Sequence, residues 1–166
     1  ELESLNCSRC LNIVDESLIK FTKNHLNLRR FKISGCVRLT EKSIKEVFNF
    51  ENLEELDLSM LFMTDSCLGK IGKLHNLSNL NISGCVNIND ANCLISLKLF
   101  SINVSGISAI DNSILTCLIN NGLKIIRASN CTKLTNDFLK SLVLLDKCDL
   151  MLLEINRTPK ISDNVI

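Results

Sequence analysis

The stretch LSNLNISGCVNIND, running from Leu77 to Asp90, decides the fold. Leu77, Leu80 and Ile82 are its first apolar residues, and the last two alternate with polar neighbours, as on a short strand with one buried face. Ser83-Gly84 interrupts the strand, and Cys85 and Ile88 then follow at intervals of three. Asn89-Asp90 supplies a side-chain oxygen and a negative charge, which suit the free amides and positive dipole end of a starting helix.

The same order recurs in both directions. The pattern L-x-x-L-x-L begins at Leu2, Leu28, Leu53, Leu77, Leu99, Leu123 and Leu150, with successive starts 26, 25, 24, 22, 24 and 27 residues apart. Its second and third apolar slots are Leu5/Cys7, Phe31/Ile33, Leu56/Leu58, Leu80/Ile82, Ile102/Val104, Ile126/Ala128 and Leu153/Ile155. Helix starts are predicted at Val14-Asp15, Thr40-Glu41, Thr64-Asp65, Asn89-Asp90 and Ser162-Asp163. Apolar pairs at helical spacing follow, including Leu18/Phe21, Ile44/Val47, Leu68/Ile71 and Leu139/Leu142. Between Ile107 and Leu118 the pairs Asp111/Ile114 and Asn112/Leu115 fit equally, and the register stays open there.

No such unit can bury its apolar face alone. Stacking solves the problem, and the period lies in or near the 20–29 residues of leucine-rich repeats. The predicted fold is therefore an α/β right-handed horseshoe solenoid of about seven repeats, occupying residues 1–166 as one domain. Strands form a parallel concave sheet and helices cover the convex side. The pattern opens directly in a strand at Leu2 and closes on a helix start before Ile166. A polar cap, and so a longer parent chain, is expected past at least one end.

LSNLNISGCVNIND, together with LRRFKISGCVRL from Leu28 to Leu39 and LKIIRASNCTKL from Leu123 to Leu134, resembles the cysteine-containing subclass of leucine-rich repeats. The resemblance spans the chain, with Leu61, Ile107 and Thr158 departing from the cysteine slot. It implies kinship with the substrate-recognition half of F-box proteins in ubiquitin ligases, and with repeat proteins similar to the antagonist of the mitotic exit network.

Composition narrows the function classes. The chain has 46% apolar and 22% charged residues, which marks a globular fold, and its net charge of +1 gives no electrostatic reason to expect nucleic acid. No apolar run is long enough to span a bilayer. Nine cysteines, mostly at slots the repeat explains as buried thiols, favour an intracellular compartment, cytoplasmic or nuclear, over a disulfide framework. The triplets beginning at Asn6, Asn81, Asn103 and Asn156 read as products of the repeat rather than glycosylation sites, because each sits in or just after a strand.

No catalytic constellation emerges, and no enzyme, cofactor or metal is expected. Cys7-x-x-Cys10 lacks the second pair that a zinc site needs, and the repeat register makes Cys7 an inward strand residue. Cys10, Cys36, Cys85 and Cys131 share one slot and should line a buried column. Cys67, Cys117 and Cys148 fall outside it and are expected to be partly exposed. His25 and His75 precede repeat starts and read as solvated loop residues. Ser8, Ser34, Ser59, Ser83, Ser105 and Ser129 follow the third slot and should bond nearby backbone as the chain turns.

Function is expected on the concave sheet. Its candidate residues are Arg30, Lys32, Glu55, Asp57, Asn79, Asn81, Asn103, Ile125, Arg127, Leu152 and Glu154. Parallel strands lie about 4.8 Å apart, so Lys32 should adjoin Asp57, Arg30 should adjoin Glu55, and Arg127 should adjoin Glu154. Asn79, Asn81 and Asn103 would offer amide hydrogen bonds at the centre, and Ile125 and Leu152 an apolar anchor. The expected role is protein binding, as the recognition part of an F-box-type ubiquitin ligase. The alternatives are a stand-alone scaffold or regulator, or the recognition segment of an enzyme whose catalytic domain lies elsewhere. Neither nucleic acid nor a membrane is an expected partner.

Overall fold

A computed structural model describes residues 2–145 and 148–162. Seven three-residue strands, β1 (Ser4–Asn6), β2 (Arg30–Lys32), β3 (Glu55–Asp57), β4 (Asn79–Asn81), β5 (Ser101–Asn103), β6 (Ile125–Arg127) and β7 (Leu152–Glu154), form one sheet in sequence order. Every neighbouring pair is parallel and in register, so the second apolar slots Leu5, Phe31, Leu56, Leu80, Ile102, Ile126 and Leu153 stand in one row. Phe31, Leu56, Leu80, Ile102 and Ile126 are buried, while Leu5 and Leu153 at the two ends are only half-covered. This is the expected leucine-rich-repeat horseshoe.

The convex side is more varied. Helices α1 (Asp15–Asn24), α2 (Glu41–Val47), α3 (Asp65–Leu68), α4 (Asn112–Asn120) and α5 (Asn136–Val143) return the chain in five repeats. Three of the predicted starts hold: α1, α2 and α3 begin at Asp15, Glu41 and Asp65. The start predicted at Asn89-Asp90 does not hold. The fourth repeat makes a 3-10 turn at Asn92–Ser96 instead, because it has the fewest residues in which to return to the sheet. The Ser162-Asp163 start lies partly outside the described residues. The open register resolves on Asp111, whose side chain accepts from the Ile114 amide at 3.0 Å, and both Ile114 and Leu115 are buried.

Helix-start side chains also tie successive repeats together. Asp15 accepts from the Thr40 amide at 2.9 Å, the Thr40 hydroxyl at 2.6 Å and the Ser43 hydroxyl at 2.5 Å. Glu41 Oε1 accepts from the amide and hydroxyl of Thr64, and Asp65 from the amides of Asn89 and Asp90. Asn112 and Asn136 repeat the arrangement toward Thr135 and Ser162. Burial raises the carboxyls of Asp15 and Glu41, but the hydrogen bonds from Ser43 and Thr40 and from Thr64 outweigh it and hold both below the ordinary carboxylate range. The backbone amides of Asp90 and Asn89 lower Asp65 in the same direction.

All nine cysteines are free thiols. Cys36, Cys85 and Cys131 are buried, and each donates its thiol to a carbonyl of the preceding repeat, those of Cys7, Leu58 and Val104. Cys10 breaks the expected column: it is exposed, since no described repeat precedes it to cover that slot. Cys67 also departs from expectation and is buried, because α3 turns it inward, whereas Cys117 and Cys148 are exposed. His25 is half-buried rather than solvated. Its ring stacks on Phe21 with centroids 4.3 Å apart and planes 12° apart.

Candidate functional site

Because strand side chains alternate, the residue on either side of each buried central one must face the open concave surface. The first outward row is Ser4, Arg30, Glu55, Asn79, Ser101, Ile125 and Leu152, and the second is Asn6, Lys32, Asp57, Asn81, Asn103, Arg127 and Glu154. Lys32, Glu55, Asp57, Asn79, Asn81, Asn103 and Arg127 line one shallow hollow of about 370 Å³, together with Ser101. Ile125 and Leu152 lie side by side at its C-terminal flank, both half-buried. Arg30 and Glu154 stand outside the hollow.

The predicted adjacencies hold in the register: Arg30 faces Glu55, Lys32 faces Asp57, and Arg127 faces Glu154. The ion pairs follow them only in part. Arg127 Nε meets Glu154 Oε2 at 3.1 Å, but Lys32 Nζ reaches diagonally to Glu55 Oε1 at 2.5 Å. Asp57 is engaged elsewhere, since its Oδ1 accepts from the Ser59 amide at 2.9 Å and the Ser59 hydroxyl at 2.6 Å. A carboxylate that closes its own turn is a poor partner for a cation across the strand.

The same local bond fixes the asparagines. Asn81 Oδ1 accepts from the Ser83 amide at 3.1 Å and the Ser83 hydroxyl at 2.8 Å, and Asn103 Oδ1 from the Ser105 amide at 3.1 Å. Asn79 Oδ1 accepts from the Ser78 hydroxyl at 2.6 Å. A backbone N–H can be accepted only by the carboxamide oxygen, so the orientation of Asn81 and Asn103 is set by the fold. Among the described residues, the Nδ2 groups of all three asparagines donate to no protein atom. The centre of the hollow therefore presents donors without matching acceptors. Serines after the strand do bond nearby groups, as expected, but several bond side chains: Ser34 and Ser59 hydroxyls lie 2.7 Å apart.

Sequence reasoning left out Ser101, which sits in register between Asn79 and Ile125. It also missed Phe100, 44% exposed at the edge of the same strand. An aromatic residue just outside the alternating pair was the available signal. The Cys7-x-x-Cys10 motif shows the opposite of an activated thiol. Burial, with Cys36 and Cys10 nearby, pushes Cys7 up to about 11. Among the described residues no group of three or more His, Cys, Asp or Glu side chains could hold a metal ion.

A stack of strand–turn–helix units with inward leucines defines a leucine-rich-repeat solenoid, and the chain has that fold, with a cysteine slot that resembles the cysteine-containing subclass. It resembles F-box/leucine-rich-repeat proteins. No protein-family profile matches it. Over 99% of its length it is 26% identical to pof2 of Schizosaccharomyces pombe, an F-box protein of the SCF E3 ubiquitin ligase complex, of which it spans 43%. Over 57% of its length it is 34% identical to a protein of Trypanosoma equiperdum named for regulating adenylate cyclase, of which it spans 14%. The chain thus spans less than half of either relative. Among solved structures, the yeast Rad7–Elc1 complex aligns with a TM-score of 0.74 at 18% identity, over 93% of this chain and 42% of that one. The internalin inlF of Listeria monocytogenes aligns at 0.69 and 26% identity, over 98% and 43%. No described helix is long and apolar enough to cross a membrane.

Proposed function

We propose that this chain is a protein-binding module whose concave sheet grips its partner, and that in its parent protein it is the substrate-recognition part of an F-box-type ubiquitin ligase. The observation that carries the binding reading is the row of outward amide donors at Asn79, Asn81 and Asn103, lacking protein acceptors, the last two oriented by backbone bonds. Buried donors in a complex need partners, so a ligand rich in carbonyl or carboxylate oxygens is selected over one that offers donors. Lys32–Glu55 and Arg127–Glu154 flank the row as exposed pairs worth about 0–1 kcal/mol each, which supply register rather than affinity. Ile125 and Leu152 add a small apolar anchor.

The ligase part rests on the end-to-end likeness to pof2. Affinity purification of the full-length protein tests it: the S-phase kinase-associated adaptor and a cullin should co-purify, and their absence rejects the ligase reading. Replacing Asn79, Asn81 and Asn103 together with Ala should weaken capture of the same partner set about tenfold or more, and unchanged capture removes this face. A regulatory scaffold with no ligase link is the second reading, favoured by the adenylate cyclase regulator to which the chain is similar. In that case the cyclase class, not a ubiquitin-ligase core, accompanies the purified protein.

A further inference from the structure

The turns that leave the strand ends form a rim with a composition unlike the rest of the surface. Segments 8–14, 34–40, 59–64, 83–89, 105–110, 129–135 and 156–162 contain no Asp or Glu, yet they carry Arg9, Arg38, Lys133, Arg157 and Lys160, all exposed. None of these five cations takes part in an ion pair among the described residues. The opposite rim is mixed and self-paired, with Arg29 on Glu54 and Lys124 on Asp149. Of the carboxylates that follow the rim segments, Asp15, Glu41 and Asp65 hold the next repeat together, Asp90 and Asp111 accept from amides of their own turns, and Asp137 lies 3.5 Å from Lys140.

The same rim bears an apolar ridge. One residue past the cysteine slot, Leu11, Val37, Phe62 and Val86 are 58%, 70%, 60% and 66% exposed in four consecutive repeats. The ridge stops where the position becomes Ser108, Thr132 and Pro159. Met60, 64% exposed, widens it. Met60 also holds a left-handed backbone at φ 58°, a conformation taken at the equivalent turn by Gly35, Gly84 and Gly106 and by Arg9, Asn130 and Arg157. A bulky exposed side chain at such a site costs stability without gaining burial.

We infer that this rim is a second docking surface, and that its occupant is an acidic amphipathic helix of a partner protein. Contiguous exposed apolar side chains point to a partner, and five unpaired cations with no anion among them select negative charge. The step between repeats is about 4.8 Å, close to the about 5.4 Å pitch of a helix, so each turn of a helix laid along the ridge meets one repeat. Its apolar stripe would seat on Val37, Phe62 and Val86 while its carboxylates meet Arg9 and Arg38 at one end and Lys133 at the other. The proposal does not depend on the concave face.

The test titrates the chain with a synthetic amphipathic helix of about four turns, leucines on one stripe and glutamates elsewhere, read by amide NMR shifts and by calorimetry. Binding should shift amides in segments 9–12, 35–38, 60–62 and 84–87. Phe62→Ser should weaken it about tenfold or more. Met60→Gly should weaken it while leaving thermal stability equal or higher, which separates docking from folding, and Val143→Ala, exposed on α5, should leave it unchanged. Failure to bind, equal binding of the same helix with lysines for glutamates, or unchanged affinity in Phe62→Ser overturns the proposal. So does a rim that ignores the peptide but is shifted by phosphatidylserine vesicles.

Discussion

The concave spine and the convex return of this solenoid are built from the same repeats and behave differently. All seven strands have three residues and pair in register without a bulge, whereas the return element ranges from the ten residues of α1 to the four of α3 and becomes a five-residue 3-10 turn in the fourth repeat. Spacing between repeat starts varies from 22 to 27 residues, and that variation falls outside the strands, mostly on the convex side. The reason is periodicity. A one-residue slip in a strand exchanges its buried and exposed faces, while a slip in the return path only changes how the chain covers the core.

The sharpest way to break this contrast is insertion. One glycine after Leu80 should bring the largest loss in urea unfolding, because it turns Asn81 inward and Ile82 outward at the end of β4 and the whole stability of such a domain is only about 5–15 kcal/mol. One glycine between Ile95 and Ser96, both exposed, should cost less than about 2 kcal/mol in the same measurement. Comparable losses would show that the two sides are equally constrained.

Next in size is Phe31→Ala. Phe31 is fully buried under Phe50, ring centroids 5.6 Å apart, and its truncation should cost about 3–5 kcal/mol in denaturant unfolding. Val143→Ala, 85% exposed on the convex side, should change stability by less than about 0.5 kcal/mol. Smaller again is the contrast within the cysteine slot. Cys85→Ala removes a buried thiol and its bond to the Leu58 carbonyl, which should cost about 1–2 kcal/mol, and Cys10→Ala should be silent. Thiol labelling in the folded state should mark Cys10, Cys117 and Cys148 and spare Cys85 and Cys131, which burial pushes up to about 11.

The smallest effect is on pH dependence. Asp15, Glu41 and Asp65 have depressed folded-state values, so their stabilisation is fully present above the ordinary carboxylate range and is lost as pH falls through those depressed values. The melting temperature should drop over that acid window, and Asp15→Asn should flatten the drop. An equal acid slope in wild type and variant would mean that these bonds do not link the repeats energetically.

The spine was fully legible from sequence because an alternating pattern reports burial directly, and the register of Arg30, Lys32 and Arg127 against their neighbours followed from it. The ion pairs were less so. Lys32 turned to Glu55 because Ser59 had already taken Asp57, a competition among turn bonds that spacing does not reveal. Cys10 shares the repeat slot of Cys36, yet it is exposed where Cys36 is buried and bonded to the Cys7 carbonyl. Leu11, Val37, Phe62 and Val86 fall outside both the strand and the helix periods, and only the fold lines them up along one edge.

One set of side-chain bonds between repeats runs in a single direction. At Cys36, Cys85 and Cys131 and at the carboxylates Asp15, Glu41 and Asp65, the donor belongs to the later repeat and the acceptor to the earlier one. A ribosome delivers the chain in that order, amino end first. Each newly emerged coil thus meets lone pairs already held in place, and the molecule can be assembled like masonry, course upon finished course.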